Sequence, residues 1–169
     1  MTIFQKMLLV PTLSLLLYAS FSIYSYSEQK KNSANFEIIR NSFTPASILI
    51  VKSSSLFNEL RDLLKDSVIA GESDWLDPAE DIHKTIQTKL QDLKQYKEII
   101  DQDKLDLLIE NLSLYYVSTL EFSNKMFKDK NTLSTESDLI QRIELHYNNT
   151  QTLFLTLIQD MELSFTLII

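Results

Sequence analysis

Residues 36–71 read FEIIRNSFTPASILIVKSSSLFNELRDLLKDSVIAG, and the fold class follows from the spacing inside that stretch. Phe36, Ile39, Phe43, Ala46, Ile50, Ser53, Phe57, Leu60 and Leu64 step by three and four residues, so they share one side of an α-helix. Leu49, Leu56 and Leu63 repeat every seven residues as a flanking stripe. Pro45 falls inside this register. Either Thr44 caps a new helix with proline at its first position, or one long helix bends there; the unbroken register favours the bend. The helix is expected to stop at Ala70-Gly71, where the chain's single glycine suits a left-handed C-cap.

The same periodicity recurs downstream. Asp77-Pro78 reads as the N-cap and first residue of a second helix, with Glu80 and Asp81 beside its positive end. Ala79, Ile82, Ile86, Leu90, Leu93 and Tyr96 line its inner face. A turn at Asp101-Gln102-Asp103 leads to a third helix carrying Leu105, Leu108, Leu112, Tyr115, Thr119, Phe122 and Met126. Lys128-Asp129-Lys130-Asn131 ends it, and Ser134 or Thr135 can cap a fourth. The stripe of that last helix is Ile140, Ile143, Tyr147, Thr150, Phe154, Leu157 and Met161. Four amphipathic helices with short connections predict an antiparallel four-helix bundle over residues 28–162.

Composition agrees with an all-α chain. There is one glycine, with three prolines, in 169 residues. Tight β-hairpins and phosphate-cradling loops both depend on glycine, so neither is expected. The absence of cysteine excludes disulfides and thiolate chemistry. Apolar residues make up 44 %, enough for a buried core. A net charge of −7 argues against a nucleic-acid partner, because phosphate binding rests on surplus lysine and arginine.

Residues 7–27 contain no charge, close to the roughly 20 residues that cross a bilayer as a helix. Pro11 is tolerable there, and Tyr18, Tyr24 and Tyr26 gather where aromatic rings favour headgroups. A cleaved signal peptide ending near Ala19, Ser20 or Ser22 and a buried core helix are the competing readings. The expectation is an uncleaved transmembrane anchor: residues 1–27 supply a cytoplasmic tail and the span, with membrane contact through 7–26 and the bundle on the extracytoplasmic side. Lys6 before the run and Lys30 and Lys31 after it give the orientation no support from the positive-inside rule. It rests on the short leading tail and the long acidic domain that follows. Residues 163–169, LSFTLII, are expected to open a truncated second membrane helix continuous with the fourth.

No catalytic constellation is legible. His83 and His146 lie on different predicted helices without the spacing of zinc or di-iron ligands, and His83 is expected to face solvent. Asp101, Asp103 and Asp106 lack the glycine and distal glutamate of a calcium loop. No nucleophile elbow, phosphate loop or kinase signature occurs. Neither metal nor cofactor is expected. The polar residues on apolar stripes are more informative: Ser53, Tyr115, Thr119, Tyr147 and Thr150. Two readings stay open. Serine and threonine can bond back to their own helix while each tyrosine reaches the bundle edge, or the five can line a ligand pocket between helices.

The stretch from Ser53 through Gly71, then Trp75-Leu76, then Tyr115-Tyr116 in the third helix resembles the extracytoplasmic helical sensor domains of bacterial transmembrane receptors. Histidine kinases, diguanylate cyclases and chemoreceptors share that plan. The resemblance implies an anchor helix, a four-helix sensor in the bacterial inner membrane's periplasmic space, and signalling by helix displacement. It implies a small-molecule or periplasmic-protein ligand and a homodimer along the first helix, to which the Leu49-Leu56-Leu63 stripe could contribute. It also implies a fragment lacking its output module. The alternative is a stand-alone, membrane-tethered helical adaptor.

Overall fold

The structure, a computed structural model, describes the backbone of residues 3–70, 73–128 and 137–168, and their side chains except at 3–10, 12, 70, 73, 128, 167 and 168. The described residues are almost wholly helical: α1 Ile3–Ile38, α2 Thr44–Ala70, α3 Leu76–Leu93, α4 Gln102–Lys128 and α5 Ser137–Ile168. Short 3-10 turns precede and follow α3, at Ser73–Trp75 and Lys94–Tyr96. The chain divides into two compact units, Met1–Asn41 and Ser42–Ile169.

The first unit is the helix α1, which accommodates Pro11 in its interior. Its described side chains from Leu13 to Tyr26 are exposed, among them Leu15, Leu16, Leu17, Phe21 and Ile23. Among the described residues no helix is long and apolar enough to cross a membrane. The side chains of Met7, Leu8, Leu9 and Val10, which open the uncharged run, lie outside the described residues.

The helical run is unbroken through position 45: Ile39–Phe43 forms a π-helical turn between α1 and α2, and Pro45 stands in the first turn of α2. Pro45 has no N–H to give the carbonyl four residues back, and its ring crowds that carbonyl. The wider turn ahead of it relieves both. Phe36, expected on the core stripe, belongs instead to the first unit and is 72 % exposed, and the buried series begins at Ala46.

From there the series holds. Ala46, Ile50, Ser53, Phe57, Leu60, Leu64 and Ser67 are all buried on α2. Ala79, His83, Ile86, Leu90 and Leu93 form the matching row on α3. Leu105, Leu108, Leu112 and Tyr115 from α4 join Phe154, Leu157 and Met161 from α5 in the same core. Leu49, Leu56 and Leu63, the flanking stripe, are half-buried against that core.

The helix ends have readable causes. α3 begins at Leu76, ahead of the expected Asp77 cap, because the 3-10 turn already leaves Trp75 at helical φ −80° and ψ −12°. Trp75 makes no side-chain cap. Pro78 then occupies the first turn, where its missing N–H has no partner to lose. Asp101 caps α4: its Oδ1 accepts from the Asp103 and Lys104 backbone N–H groups, each at 3.1 Å. The expected C-cap at Gly71 and N-cap at Ser134 or Thr135 lie outside the described residues.

Residue pairings fix helix directions within the second unit. Phe43 meets Phe165 and Phe57 meets Phe154 and Tyr147, so α2 and α5 run antiparallel. Lys104 meets Asp160 and Asn111 meets Asn149, giving the same relation for α4 and α5. Lys94 meets Asp106 while Gln87 meets Ser113, so α3 and α4 are antiparallel too. The heaviest packing joins α2 to α3 and α4 to α5.

A substitution pair tests this register. Leu112 is fully buried and Leu107 is 49 % exposed on the same helix. Leu112→Asp buries an unpaired carboxylate at a cost of several kcal/mol, against a usual total of roughly 5–15 kcal/mol. Circular dichroism melts of the full chain should show lost cooperative unfolding for Leu112→Asp and a change within about 0.5 kcal/mol for Leu107→Asp. Equal melts for the two variants would place α4 in the wrong rotation.

Candidate functional site

Phe57 is a buried residue against which three other rings pack. The Tyr115 ring stands edge-on to it at 5.4 Å between centroids, Tyr147 stacks at 5.6 Å, and Phe154 tilts against it at 5.7 Å. Tyr115 and Tyr147 are themselves 5.8 Å apart. One helical turn further along α2, the Arg61 Nη1 donates to the Tyr147 hydroxyl at 2.9 Å. Its Nε and Nη2 donate to Asp62 Oδ1 at 3.0 and 2.8 Å. Those bonds to Asp62 first, and to Tyr147 second, push the guanidinium pKa up.

Next to this cluster lies a cleft of about 380 Å³ between α2, α4 and α5. Arg61, Leu64, Lys65 and Val68 line it from α2, Tyr115, Thr119 and Phe122 from α4, and Ile140 and Ile143 from α5. Among the described residues no Asp or Glu lines it. Tyr115 keeps its proton there: burial pushes its pKa up to about 12, against the opposing effect of the Thr119 hydroxyl. The cleft is therefore apolar, with neutral hydroxyls within and two cations on one face of α2.

The five residues anticipated from sequence divide. Tyr115 and Thr119 line the cleft, and Tyr147 adjoins it through Arg61. Ser53 and Thr150 are buried but do not line it. Thr119 and Thr150 bond back to the carbonyls of Tyr115 and His146, at 2.8 and 2.7 Å. Ser53 does not follow: its buried Oγ has no hydrogen-bond partner. Sequence reasoning missed Arg61 and Lys65. Both lie at four-residue steps from Phe57, the spacing that puts them on its side of the helix.

His83 is a correction. Expected at the surface, it is buried and stacks on Tyr116 with centroids 3.9 Å apart and planes within 12°. Its position four residues after Ala79 and three before Ile86 places it on the inner face of α3, a signal present in the sequence. Its Nε2 is buried without a partner. Burial lowers its pKa, opposed by nearby Glu80. Among the described residues no group of three or more His, Cys, Asp or Glu side chains could hold a metal ion. No protein-family model, curated protein or solved structure matches this chain.

Two pH dependences follow from linkage. Tyr115 ionises near 10 when unfolded and near 12 when folded. The unfolded state therefore loses its proton first. The stabilisation is whole below pH 10 and disappears as pH rises toward 12, by about 3 kcal/mol in order of magnitude. Urea midpoints across that range should fall less steeply in Tyr115→Phe than in the parent; parallel curves would contradict the burial of this hydroxyl. His83 has the opposite sense, because its folded pKa lies below the ordinary 6.5. Below that value the unfolded chain gains the proton first, so stability falls on acidification. His83→Phe retains an aromatic face for Tyr116 and should flatten the midpoint between pH 7.5 and 5.5.

Proposed function

We propose that this chain carries a ligand-sensing helical domain of a membrane receptor. Residues 7–26 anchor it in a bacterial inner membrane, and the helices from Ser42 onward form an antiparallel four-helix bundle on the extracytoplasmic side. The antiparallel pairings of α2 with α5, α3 with α4 and α4 with α5 support the bundle. The anchor draws its support from the uncharged run of residues 7–27.

The single observation that carries the sensing role is the cleft between α2, α4 and α5. Its volume falls in the range of roughly 300–1,000 Å³ typical of small-molecule sites, and its lining has the usual mixture of apolar walls and few polar groups. Three helices bound it. A ligand that fits one packing of these helices better than another shifts the population toward that packing, and a displacement of an Å or two is the ordinary form of such a change. Signal passage therefore needs no catalytic step. With 16 Lys and Arg against 23 Asp and Glu, the chain lacks the basic surplus that a nucleic-acid role would use.

A thermal-shift screen of apolar metabolites against the full chain tests the reading. A ligand at 100 times its dissociation constant stabilises the fold by about 2.7 kcal/mol, worth several degrees in a domain of this size. Tyr115→Phe and Thr119→Val should reduce the shift, and Ile143→Trp, which fills the cleft, should abolish it. A broad screen in which parent and Ile143→Trp respond alike would remove the cleft as a sensor site and favour the adaptor. Alkaline carbonate extraction of membranes checks the anchor: the full-length chain should stay in the pellet.

A further inference from the structure

The cleft also carries information about what enters it. Resting on the sensor reading, we infer that its ligand is an amphiphile with an apolar body and a single anionic head, held by Arg61 and Lys65.

The body is set by the walls. Val68, Phe122, Ile140 and Ile143 present hydrocarbon and an aromatic ring, so an apolar occupant removes both its own surface and theirs from water. A polar or doubly charged body would lose hydration there without recovering hydrogen bonds. The hydroxyls of Tyr115 and Thr119 add little to a charge balance, since Tyr115 is a neutral phenol and the Thr119 hydroxyl already donates to the Tyr115 carbonyl.

The head is set by the cations. Arg61 and Lys65 are four residues apart on α2, hence on one face and one turn from each other. Both line the cleft, and among the described residues no acidic side chain does. This positive pair stands in a chain whose net charge is −7, so it is not a sample of a generally basic surface. Lys65 has no ion pair among the described residues. Arg61 donates to one Asp62 oxygen and to Tyr147, which leaves part of its fork of five N–H groups unspent. The Tyr147 bond also fixes the guanidinium beside the cleft. A cationic head would meet the like charge of Lys65 there, with Asp62 already held by Arg61.

Three probes with one tail separate head from body: octanoate, octanol and octylammonium, titrated calorimetrically into the full chain in lipid nanodiscs, with empty nanodiscs subtracted. Octanoate is expected to bind tightest, octanol more weakly and octylammonium least. Arg61→Gln/Lys65→Gln should weaken octanoate about tenfold, the scale of one charge-assisted hydrogen bond, and leave octanol unchanged. Lys65→Gln alone, at an exposed position, guards against a folding defect in the double variant. Octanol binding as tightly as octanoate would overturn the anionic head while sparing the cleft as a site. Octanoate binding that survives Ile143→Trp, checked for native circular dichroism, would place it elsewhere and overturn the inference. Binding of none of the three would overturn it together with the sensor reading.

Discussion

The interaction on which the second unit depends is the burial of the Phe57 ring against Tyr115, Tyr147 and Phe154. Packing is heaviest within two neighbouring pairs, α2 with α3 and α4 with α5. Contacts between the pairs are fewer, and Phe57 makes ring contacts with both α4 and α5. Edge-on and offset ring pairs contribute about 0.5–1.5 kcal/mol each beyond area burial. Several on one side chain make it the natural junction of the two pairs. The surface ion pairs, such as Lys104 with Asp160 or Lys84 with Glu80, lie in water and add little to that junction.

The same cluster explains where the cleft is. Beyond Phe57 and Leu60 the α2 row continues to Leu64 and Ser67, a small residue whose hydroxyl turns back to its own helix at 2.8 Å. On α4, Thr119 and Ser123 likewise spend their hydroxyls on carbonyls one turn back. Small side chains at successive inner positions leave space that large ones would fill. Phe122, Ile140 and Ile143 border the space, and Arg61 and Lys65 edge it with charge. Aromatic junction and apolar cleft are thus consecutive turns of the same three helices.

Much of this was legible from spacing alone. The three-four rows identified Ile50, Phe57, Leu60, Leu64, Leu90, Leu108, Leu112, Phe154 and Leu157 as core, because a helix buries a face and the face repeats. What spacing missed has particular causes. Phe36 left the row because it lies ahead of the π turn at Ile39–Phe43, in the first unit, where its side chain stays exposed. His83 was assigned to solvent by its chemistry although its position put it inside; position prevailed. Ser53 and Thr150 have the right register for a core and the wrong depth for the cleft. Depth along a bundle depends on how helices are staggered, and that is a property of the packed molecule.

The most direct test of this account is amide hydrogen exchange of the full chain and its Phe57→Ala variant, resolved by peptide mass spectrometry. If Phe57 joins the two helix pairs, the inner turns of α2, α3, α4 and α5 exchange in the parent with one common free energy. The variant should then lose protection in all four helices together. Protection lost from α2 and α3 while α4 and α5 keep theirs would show that the pairs stand independently, and would contradict the account.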